Sequence, residues 1–350
     1  MRNQPASDRD ARPTRRAPSE VATQSSRPSV EAKLDLVGGG LVLITAAWWQ
    51  LAPAEGSNAL PLVGLLAAAA GAYLVALLLA RFLSPLVPAA LVVAGVVAAL
   101  VMSTGADGPL GYENANAILF ALAGIAALMM WSAAPARVSG ILSLGVALVL
   151  GLIPLMVGAV AAAAVFVMGG AIAIVALLGR SRGALATAGV VFALVLFATI
   201  ALGATYSGNT GRLGSALSER RLELWHDALV IVGDHPLAGA GFDRFEALSP
   251  TARSDPDARW AHNEFLQVGA ETGVPGLVLL TSLFIWGFVR LAAEPGSPHR
   301  AIAAAALAAV GIAASIDYVL HFAAVPITAA ALLGAGVAYR RPDRERSAVA

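Results

Sequence analysis

The segment VSGILSLGVALVLGLIPLMVGAVAAAAVFVMGGAIAIVALL, residues 138–178, runs for 41 residues without a charged side chain. As one helix it would be about 62 Å long, because an α-helix rises 1.5 Å per residue. That length is twice the hydrocarbon thickness of a bilayer, about 30 Å. The segment must therefore fold back on itself, most simply near Pro154, and we count it as two membrane-spanning helices. It predicts an integral membrane protein.

The composition of the whole chain agrees with this class. Of the 350 residues, 58% are hydrophobic and 13% are charged, and the charged share is about half that of a soluble domain. This apolar content suffices for about ten helices of about 20 residues each. We therefore predict an all-α protein with about ten transmembrane helices, over 36–52, 60–80, 84–102, 115–131, 138–153, 156–178, 184–204, 272–291, 301–320 and 324–339. The absence of cysteine excludes disulfides, zinc–thiolate sites and thiol nucleophiles.

The basic residues indicate the orientation, because cytoplasmic loops carry the excess of Lys and Arg. With the N-terminus inside, 17 of the 23 basic residues fall on cytoplasmic segments. The other six lie in one long loop, and long loops translocate regardless of charge. We predict two cytoplasmic termini, arranged as a disordered tail (1–33), helices one to seven (34–204), an extracytoplasmic loop (205–271), helices eight to ten (272–340) and a short C-terminal tail (341–350).

The loop 205–271 is long, charged and aromatic, which is typical of a loop that carries function on a rigid scaffold. Residues 216–232 predict an amphipathic helix on the membrane surface, with one face formed by Leu217, Arg221, Leu224, Ala228 and Val232. His235 and Pro236 end it, and the glycines of the turn 239–242 permit close approach of the backbone. This turn lacks the third glycine of a dinucleotide-binding motif.

The end of the loop, residues 260–276, is the densest polar patch. Asn263, Gln267 and Glu271 share one face at helical spacing. A carboxylate so close to hydrocarbon is costly unless it is paired or faces a cavity, so Glu271 is a functional candidate. His262 and Asn263 allow a second interpretation, in which Asn263 is only a helix N-cap.

Two further polar clusters are expected at the same membrane face. Asp317 and His321 are four residues apart near the outer end of the ninth helix, which predicts neighbours on one helix face. Asn114 and Asn116, with Glu113, lie at the outer start of the fourth helix. Convergence of these clusters with the loop predicts a single site, although such groups could instead only cap and pin helices.

Three motifs follow one another in the loop and the helix after it. They are Arg-x-x-x-Trp at Arg221 and Trp225; Pro-x-x-Gly-x-Gly-x-x-x-Phe at Pro236, Gly239, Gly241 and Phe245; and His-Asn-x-x-Leu-Gln-x-x-x-Glu-x-Gly-x-x-Gly at His262, Asn263, Leu266, Gln267, Glu271, Gly273 and Gly276. In this order the motifs resemble the O-antigen ligase and polymerase family. The pair Asn114 and Asn116 and the late Asp317 and His321 are also similar to family features.

The resemblance implies a glycosyltransferase in the bacterial plasma membrane that moves a glycan from a polyprenyl diphosphate to an acceptor hydroxyl at the extracytoplasmic face. The acceptor would be a glycan, a glycolipid or a protein. Arg221 would hold the departing diphosphate, His262 would act as base, and Glu271 would orient them. Substrate-binding candidates are Arg220, Asn263, Asn116, Asp317 and His321. No metal, cofactor or nucleic acid is implied.

One departure from the family leaves alternatives open. The family commonly has an outward-facing Ser-Arg after the second helix beyond the Asn-x-Asn motif, whereas Ser181, Arg182 and Gly183 are predicted on the cytoplasmic side. If that arginine is missing, Arg220, Arg244, Arg253 or Arg259 must replace it, or the protein is a weakened or inactive relative. A non-catalytic relative acting as transporter or scaffold in envelope glycan assembly is the alternative function. The sugar, the acceptor and the choice between ligase and polymerase stay open.

Overall fold

A computed structural model describes residues 29–51, 59–84, 86–103, 108–133, 170–171, 175, 180–207, 219–255, 258–294 and 296–338. Within these ranges the regular structure is helical. The helices are α1 (Val30–Leu51), α2 (Leu60–Phe82), α3 (Leu86–Met102), α4 (Glu113–Ala133), α5 (Ser181–Ala204), α6 (Glu219–Asp234), α7 (Phe245–Leu248), α8 (Pro250–Ser254), α9 (Glu264–Ala292), α10 (Pro298–Ile316) and α11 (Ala324–Ala338), with a 3₁₀ turn at Val319–His321.

The helices confirm the all-α class and a membrane architecture. Five of them, α2, α4, α5, α9 and α10, are long and apolar enough to cross a bilayer, and α3 and α11 are shorter apolar helices. Of the two spans predicted within 138–178, 138–153 lies outside the described residues, and of 156–178 only residues 170, 171 and 175 are described. The total of ten therefore stays a prediction.

The centre of the described bundle is formed by α4 and α10. Within the apolar stretches of these two helices, 83% and 94% of the residues are buried, against 17% for α2. The middle of α10 is dominated by alanine, from Ala301 to Ala314. Small side chains let neighbouring helices approach closely, which matters in a bilayer because the hydrophobic effect does not drive helices together there. α10 packs on α4, α5, α9 and α11, so it holds the scaffold beneath the loop.

The predicted amphipathic helix of the loop is α6. His235 and Pro236 follow its last residue, as predicted. Its buried face contains the predicted Leu224 and Ala228 but is centred on Trp225, which is completely buried. This face packs against α5 and α9. The membrane-surface position of α6 stays a prediction.

The predicted ninth helix is too long by four residues. α10 ends at Ile316, and Asp317 has an extended backbone (φ −157°, ψ 175°). The backbone N–H of Tyr318 donates to the Asp317 carboxylate, and those of Leu320 and His321 donate to the carboxylate of Glu264. Because these N–H groups bond to carboxylates instead of helical carbonyls, the helix stops. The expectation that Asp317 and His321 share a helix face was therefore wrong.

The eighth predicted helix begins earlier than expected. α9 starts at Glu264, eight residues before the predicted boundary at 272, so the end of the predicted loop is helical. Asn263 is its N-cap: the side chain accepts a hydrogen bond from the N–H of Leu266 at 3.1 Å. A good cap extends a helix into polar sequence, where hydropathy gives no signal.

α9 is broken at Gly273, which has φ 77° and ψ −179°. Pro275 has no N–H to donate to the carbonyl of Glu271, as the helical pattern would require. That carbonyl accepts instead from the N–H of Gly241 at 2.9 Å, and the carbonyl of Ala270 accepts from Ala240 at 2.8 Å. The turn after α6 thus replaces the hydrogen bonds that the break removes.

The same turn also accepts a hydrogen bond from a backbone N–H group at the break in α9. The N–H of Val274 donates to the carbonyl of Pro236 at 2.8 Å. A β-carbon on Gly239 would lie 2.2 Å from the carbonyl carbon of Glu271, and one on Gly273 would lie 2.3 Å from the carbonyl oxygen of Leu237. The glycines therefore let two backbones meet, which explains the glycine-rich motif in the turn and the glycine after Glu271.

A buried ionic network joins α1 to the far ends of α9 and α10. Arg290 bonds Asp35 at 2.8 Å and Glu31 at 3.1 Å, and Arg300 bonds Glu31 at 2.8 Å. Both arginine side chains are at most 1% exposed. Because these bonds order the start of α1, the helix begins at Val30 and takes up the last residues of the predicted tail 1–33.

Candidate functional site

The carboxylate of Asp317 is the centre of the polar cluster. Although only 3% of the residue is exposed, it accepts hydrogen bonds from the hydroxyl of Tyr112 at 2.9 Å, from Asn114 Nδ2 at 2.6 Å and from His262 Nδ1 at 3.1 Å. Arg221 Nη2 lies 3.6 Å from Asp317 Oδ2, the oxygen that also accepts from Tyr112 and Asn114. Four elements that are far apart in sequence therefore meet at one side chain.

These partners keep Asp317 ionised. Burial raises the pKa of the Asp317 carboxyl, but the hydrogen bond from His262, the charge of Arg221 and the N–H of Tyr318 outweigh burial and hold the pKa below its ordinary value. A buried carboxylate is tolerated only where it is paired and hydrogen-bonded. The cluster is thus a preorganised negative centre that orients an imidazole and a guanidinium.

Arg221 and Trp225 are one turn apart on α6 and contact two residues that are hydrogen-bonded to each other, Asp317 and His262. Trp225 Nε1 donates to the backbone carbonyl of His262 at 3.1 Å, while Arg221 reaches Asp317. The spacing of the Arg-x-x-x-Trp motif therefore matches one helical turn. The Arg221 side chain is 25% exposed, and within the described part of the chain the ion pair with Asp317 is its only polar contact. Its remaining N–H groups are available to a ligand.

His262 is held in a rare backbone conformation, with φ 48°. Residues other than glycine seldom adopt positive φ, and those that do are concentrated at functional sites. The hydrogen bond between Nδ1 and Asp317 favours the tautomer in which Nδ1 carries the proton, which leaves Nε2 as an acceptor. The edge of the Tyr318 ring also packs on the imidazole, with 5.0 Å between centroids. The side chain remains 17% exposed.

A second carboxylate–imidazole pair lies beside the first. Glu264 Oε1 accepts from His321 Nδ1 at 2.9 Å and from the backbone N–H groups of Leu320 and His321. Burial lowers the pKa of His321, but the charge and hydrogen bond of Glu264 outweigh it and raise the pKa to about 9. His321 is therefore cationic at neutral pH, and the ring of Trp260 lies 4.4 Å from the imidazole, centroid to centroid.

Glu271 lies apart from Asp317, in the wall of a cavity. Its Oε1 accepts from Gln267 Nε2 at 2.6 Å and from the N–H of Asp243 at 3.2 Å. The cavity has a volume of about 260 Å³. Its lining residues are Asp243, Phe245, Glu246, Arg259, Trp260, Gln267 and Glu271. The structure thus brings Arg221, His262 and Asp317 together. Glu271 and His321 lie next to Trp260, which lines the cavity with Glu271 and contacts the ring of His321.

Three other sequence candidates serve the scaffold in this structure. Asn263 is fully buried, and besides capping α9 it donates to Thr199 and to the carbonyl of Ser315. Asn116 Oδ1 accepts from the N–H of Leu110 at 2.9 Å. Arg220 bonds Glu223, Ser254 and Asp255 and does not contact Asp317. The cap interpretation of Asn263 is confirmed.

Sequence reasoning missed two contacts of the cluster: Tyr112 bonds Asp317 and Tyr318 packs on His262. It placed both Asn114 and Asn116 near the site but chose Asn116 as the substrate-binding candidate, whereas Asn114 is the one that bonds Asp317. A helix turns about 200° between residues 114 and 116, so only one of the two asparagines can face the site, and it is Asn114. The only sequence signal for Tyr112 and Tyr318 is their position next to the polar motifs. Within the described ranges, no group of three His, Asp or Glu residues could hold a metal ion.

The described part of the molecule is therefore an all-helical membrane protein with a preorganised Arg–His–Asp cluster under a loop at one end of the bundle. The family model described as O-Antigen ligase matches residues 146–281. This match confirms the resemblance to that family over the region that contains Arg221, His262 and Glu271, and it indicates a membrane protein of glycan assembly. Asn114 and Asp317 lie outside the matched region. No curated protein matches the chain.

Proposed function

We propose that this protein is a membrane glycosyltransferase that transfers a glycan from a polyprenyl diphosphate carrier to an acceptor hydroxyl at the extracytoplasmic face. The observation that carries the proposal is the meeting of Arg221 and His262 at the carboxylate of Asp317. The family match to residues 146–281 supports the same chemistry, since it covers both the guanidinium and the imidazole.

Arg221 is assigned to the leaving group. When the bond between the anomeric carbon and the phosphate oxygen breaks, the diphosphate departs with the electron pair and gains negative charge. A guanidinium with free N–H groups matches phosphate oxygens in a bidentate geometry. Stabilising charge that develops only in the transition state raises the rate of the chemical step.

His262 is assigned to the acceptor. Nε2 would take the proton from the acceptor hydroxyl as its oxygen forms the new bond to the anomeric carbon. The imidazolium that results would be stabilised by Asp317, which already bonds Nδ1, in the same division of labour as the carboxylate and imidazole of a hydrolase triad. The proton, the electron pair and both bonds are then accounted for without a metal or cofactor.

An apolar groove supports a lipid carrier. The groove has a volume of about 430 Å³, lies between α1, α2, α9 and α11, and extends from Gly38 and Tyr73 to Leu320. Leu320 is the residue before His321, so the groove ends next to the polar cluster. A polyprenyl chain in the bilayer would need such an apolar path to bring its diphosphate to the site.

The further cation of the family does not come from Ser181–Gly183 in this proposal. These residues form the first turn of α5, whereas Gly203, at the other end, lies under Trp225. The separation along the helix is about 33 Å. Arg244, Arg253 and Arg259 remain the candidates for a second cation, since Arg220 bonds Glu223, Ser254 and Asp255.

The test is transfer by the purified, reconstituted protein from a polyprenyl-diphosphate-linked glycan to a panel of acceptors. We expect Arg221→Ala and His262→Ala each to reduce the rate by at least about 100-fold. Matched controls are Arg81→Ala and His235→Ala, which alter exposed residues outside the cluster and should transfer at the wild-type rate. Wild-type rates in both site variants would refute the mechanism.

A further inference from the structure

The cavity beside the Arg–His–Asp cluster has the size of a site for one small ring. Its volume of about 260 Å³ is just below the lower end of the range for small-molecule sites, about 300 Å³. Trp260 forms one wall, and its ring lies 6.1 Å from that of Tyr318, which in turn packs on His262. Two aromatic rings, those of Trp260 and Tyr318, would therefore separate a ligand in the cavity from His262.

The walls of the cavity offer one apolar face and several hydrogen-bonding groups. Trp260 is half-buried and presents aromatic surface. Gln267 and Glu271 form the buried end, where both hydrogen bonds to Glu271 go to Oε1. Within the described residues no hydrogen bond reaches Oε2 of this side chain, which is 4% exposed in total. A hydrogen-bonding oxygen is thus available at the bottom of a cavity that water or a ligand hydroxyl can enter.

The rim of the cavity is charged. Arg259 and Glu246 face each other at 3.8 Å, a separation at which an exposed ion pair contributes little stability. The guanidinium of Arg259 and the carboxylate of Glu246 can therefore exchange this contact for one with a ligand without a large loss of free energy. Asp243 adjoins them in a positive-φ conformation (φ 59°), and its N–H is bonded to Glu271. This strained residue is held in place by the buried carboxylate, so the cavity is preformed.

We propose that this cavity is a subsite for a single pyranose ring of the glycan, stacked on Trp260 and bonded through its hydroxyls to Glu271, Gln267 and the rim. A pyranose has an apolar C–H face and hydroxyls that both donate and accept, which requires an aromatic surface together with acceptors and donors. The assignment rests on the proposed function, whose donor or acceptor supplies the ring.

The charges of the cavity define the class of sugar. Asp243 and Glu246 place two carboxylates at the exposed rim against the single guanidinium of Arg259. A uronic acid would bring a further carboxylate into this surrounding, and like charges at short distance disfavour binding. The subsite is therefore specific for neutral and amino sugars.

The experiment is saturation-transfer NMR on the full-length protein in detergent micelles, with methyl glucoside, glucosamine and glucuronate as probes and no lipid carrier. We expect transfer to the first two and at least about threefold less to glucuronate. Trp260→Ala should weaken the glucoside signal at least about threefold. Trp131→Ala, which alters a half-exposed tryptophan near the other end of α4, should leave it unchanged.

Two further variants keep the test decisive. Trp260→Phe retains an aromatic face and should retain binding even where Trp260→Ala fails to fold, and Glu246→Gln should narrow the difference between glucuronate and glucoside. Equal signals in Trp260→Ala and Trp131→Ala, or glucuronate bound as well as glucoside, would overturn the proposal. The NMR experiment contains no lipid carrier. Absence of glycan transfer by the wild-type protein in the reconstituted assay would therefore refute the proposed function without changing the sugar-binding result.

Discussion

At the scale of single residues, Asp317 is the side chain on which the site depends. Asp317→Asn keeps the shape but removes the charge that orients His262 and balances Arg221. We expect the maximal transfer rate to fall by about 10⁴-fold, as for a carboxylate–imidazole pair that loses its carboxylate, with a smaller effect on the KM for the donor. Initial rates over a range of donor concentrations measure both, with Asp234→Asn as an exposed control.

Retention of the full maximal rate by Asp317→Asn would show that the carboxylate does not orient the imidazole. A rise in KM alone would assign Asp317 to ground-state binding, because a group that acts only in the transition state changes the rate of the chemical step.

His321 predicts a pH-dependent stability. Its pKa is raised from 6.5 to about 9 by Glu264, so the stabilisation is fully present below pH 6.5 and is lost as pH rises through about 9. We expect the thermal midpoint of wild type to fall across this interval and that of His321→Gln to change less. Melting curves from pH 6 to pH 10 measure this, and parallel curves would refute the assignment.

The identity of the central residues could be predicted because charge near hydrocarbon is rare and costly. Asp317 and Glu271 stand out for that reason, whereas Arg221 and His262 stand out through the motifs that resemble the O-antigen ligase family. The roles of Asn263, Asn116 and Arg220 could not be predicted, since an amide or guanidinium that pins a helix has the same sequence signature as one that binds a ligand. Only the observed bonds, such as those from Asn263 to Thr199 and from Arg220 to Asp255, distinguish the two roles.

At the scale of elements, the break in α9 is the least replaceable feature. Gly273→Ala would force a side chain into positive φ and against the carbonyl of Leu237. We expect a loss of at least about 1–3 kcal/mol. Gly233→Ala, a helical position with no atom within 4 Å of the new β-carbon, should be neutral or stabilising by up to about 1 kcal/mol.

Thermal midpoints of the two purified variants test this contrast. Similar midpoints would mean that the turn and the helix can separate without cost.

Helix ends were the part of the fold that hydropathy could not define. Apolar sequence continues past Ile316, yet α10 stops there because carboxylates take the next backbone N–H groups. Polar sequence precedes residue 272, yet α9 extends back to Glu264 because Asn263 caps it. In both cases the hydrogen bonds of polar side chains, and not hydropathy, decide where the helix ends.

At the scale of the whole molecule, the ionic network clamps α1 to α9 and α10 at the end opposite the site. Arg290→Ala would leave Asp35 and Glu31 with fewer partners in a buried position, and breaking one side of such a pair costs about 3–5 kcal/mol. Glu294 is half-exposed and bonds Arg300 at the edge of the network. Replacing it by alanine should lower the free energy of unfolding by less than about 1 kcal/mol.

The comparison of midpoints for Arg290→Ala and Glu294→Ala measures the difference. Equal effects would show that burial does not strengthen the network.

The orientation of the chain can be tested directly because it contains no cysteine. A single cysteine at His235, exposed after α6, should react with a membrane-impermeant maleimide in intact spheroplasts. One at Arg81, exposed at the end of α2, should react only after lysis. The reverse pattern would place the loop in the cytoplasm and exclude the proposed function.

The three main-chain hydrogen bonds between the turn 236–241 and the break in α9 also constrain protein engineering. A chimera that recombines two relatives inside this region would take the turn from one parent and the broken helix from the other, although each segment both donates and accepts main-chain hydrogen bonds of the other. Junctions placed before Glu219 and after Gly276 keep both from the same parent, so these are the crossover points at which substrate preference could be transplanted as a unit.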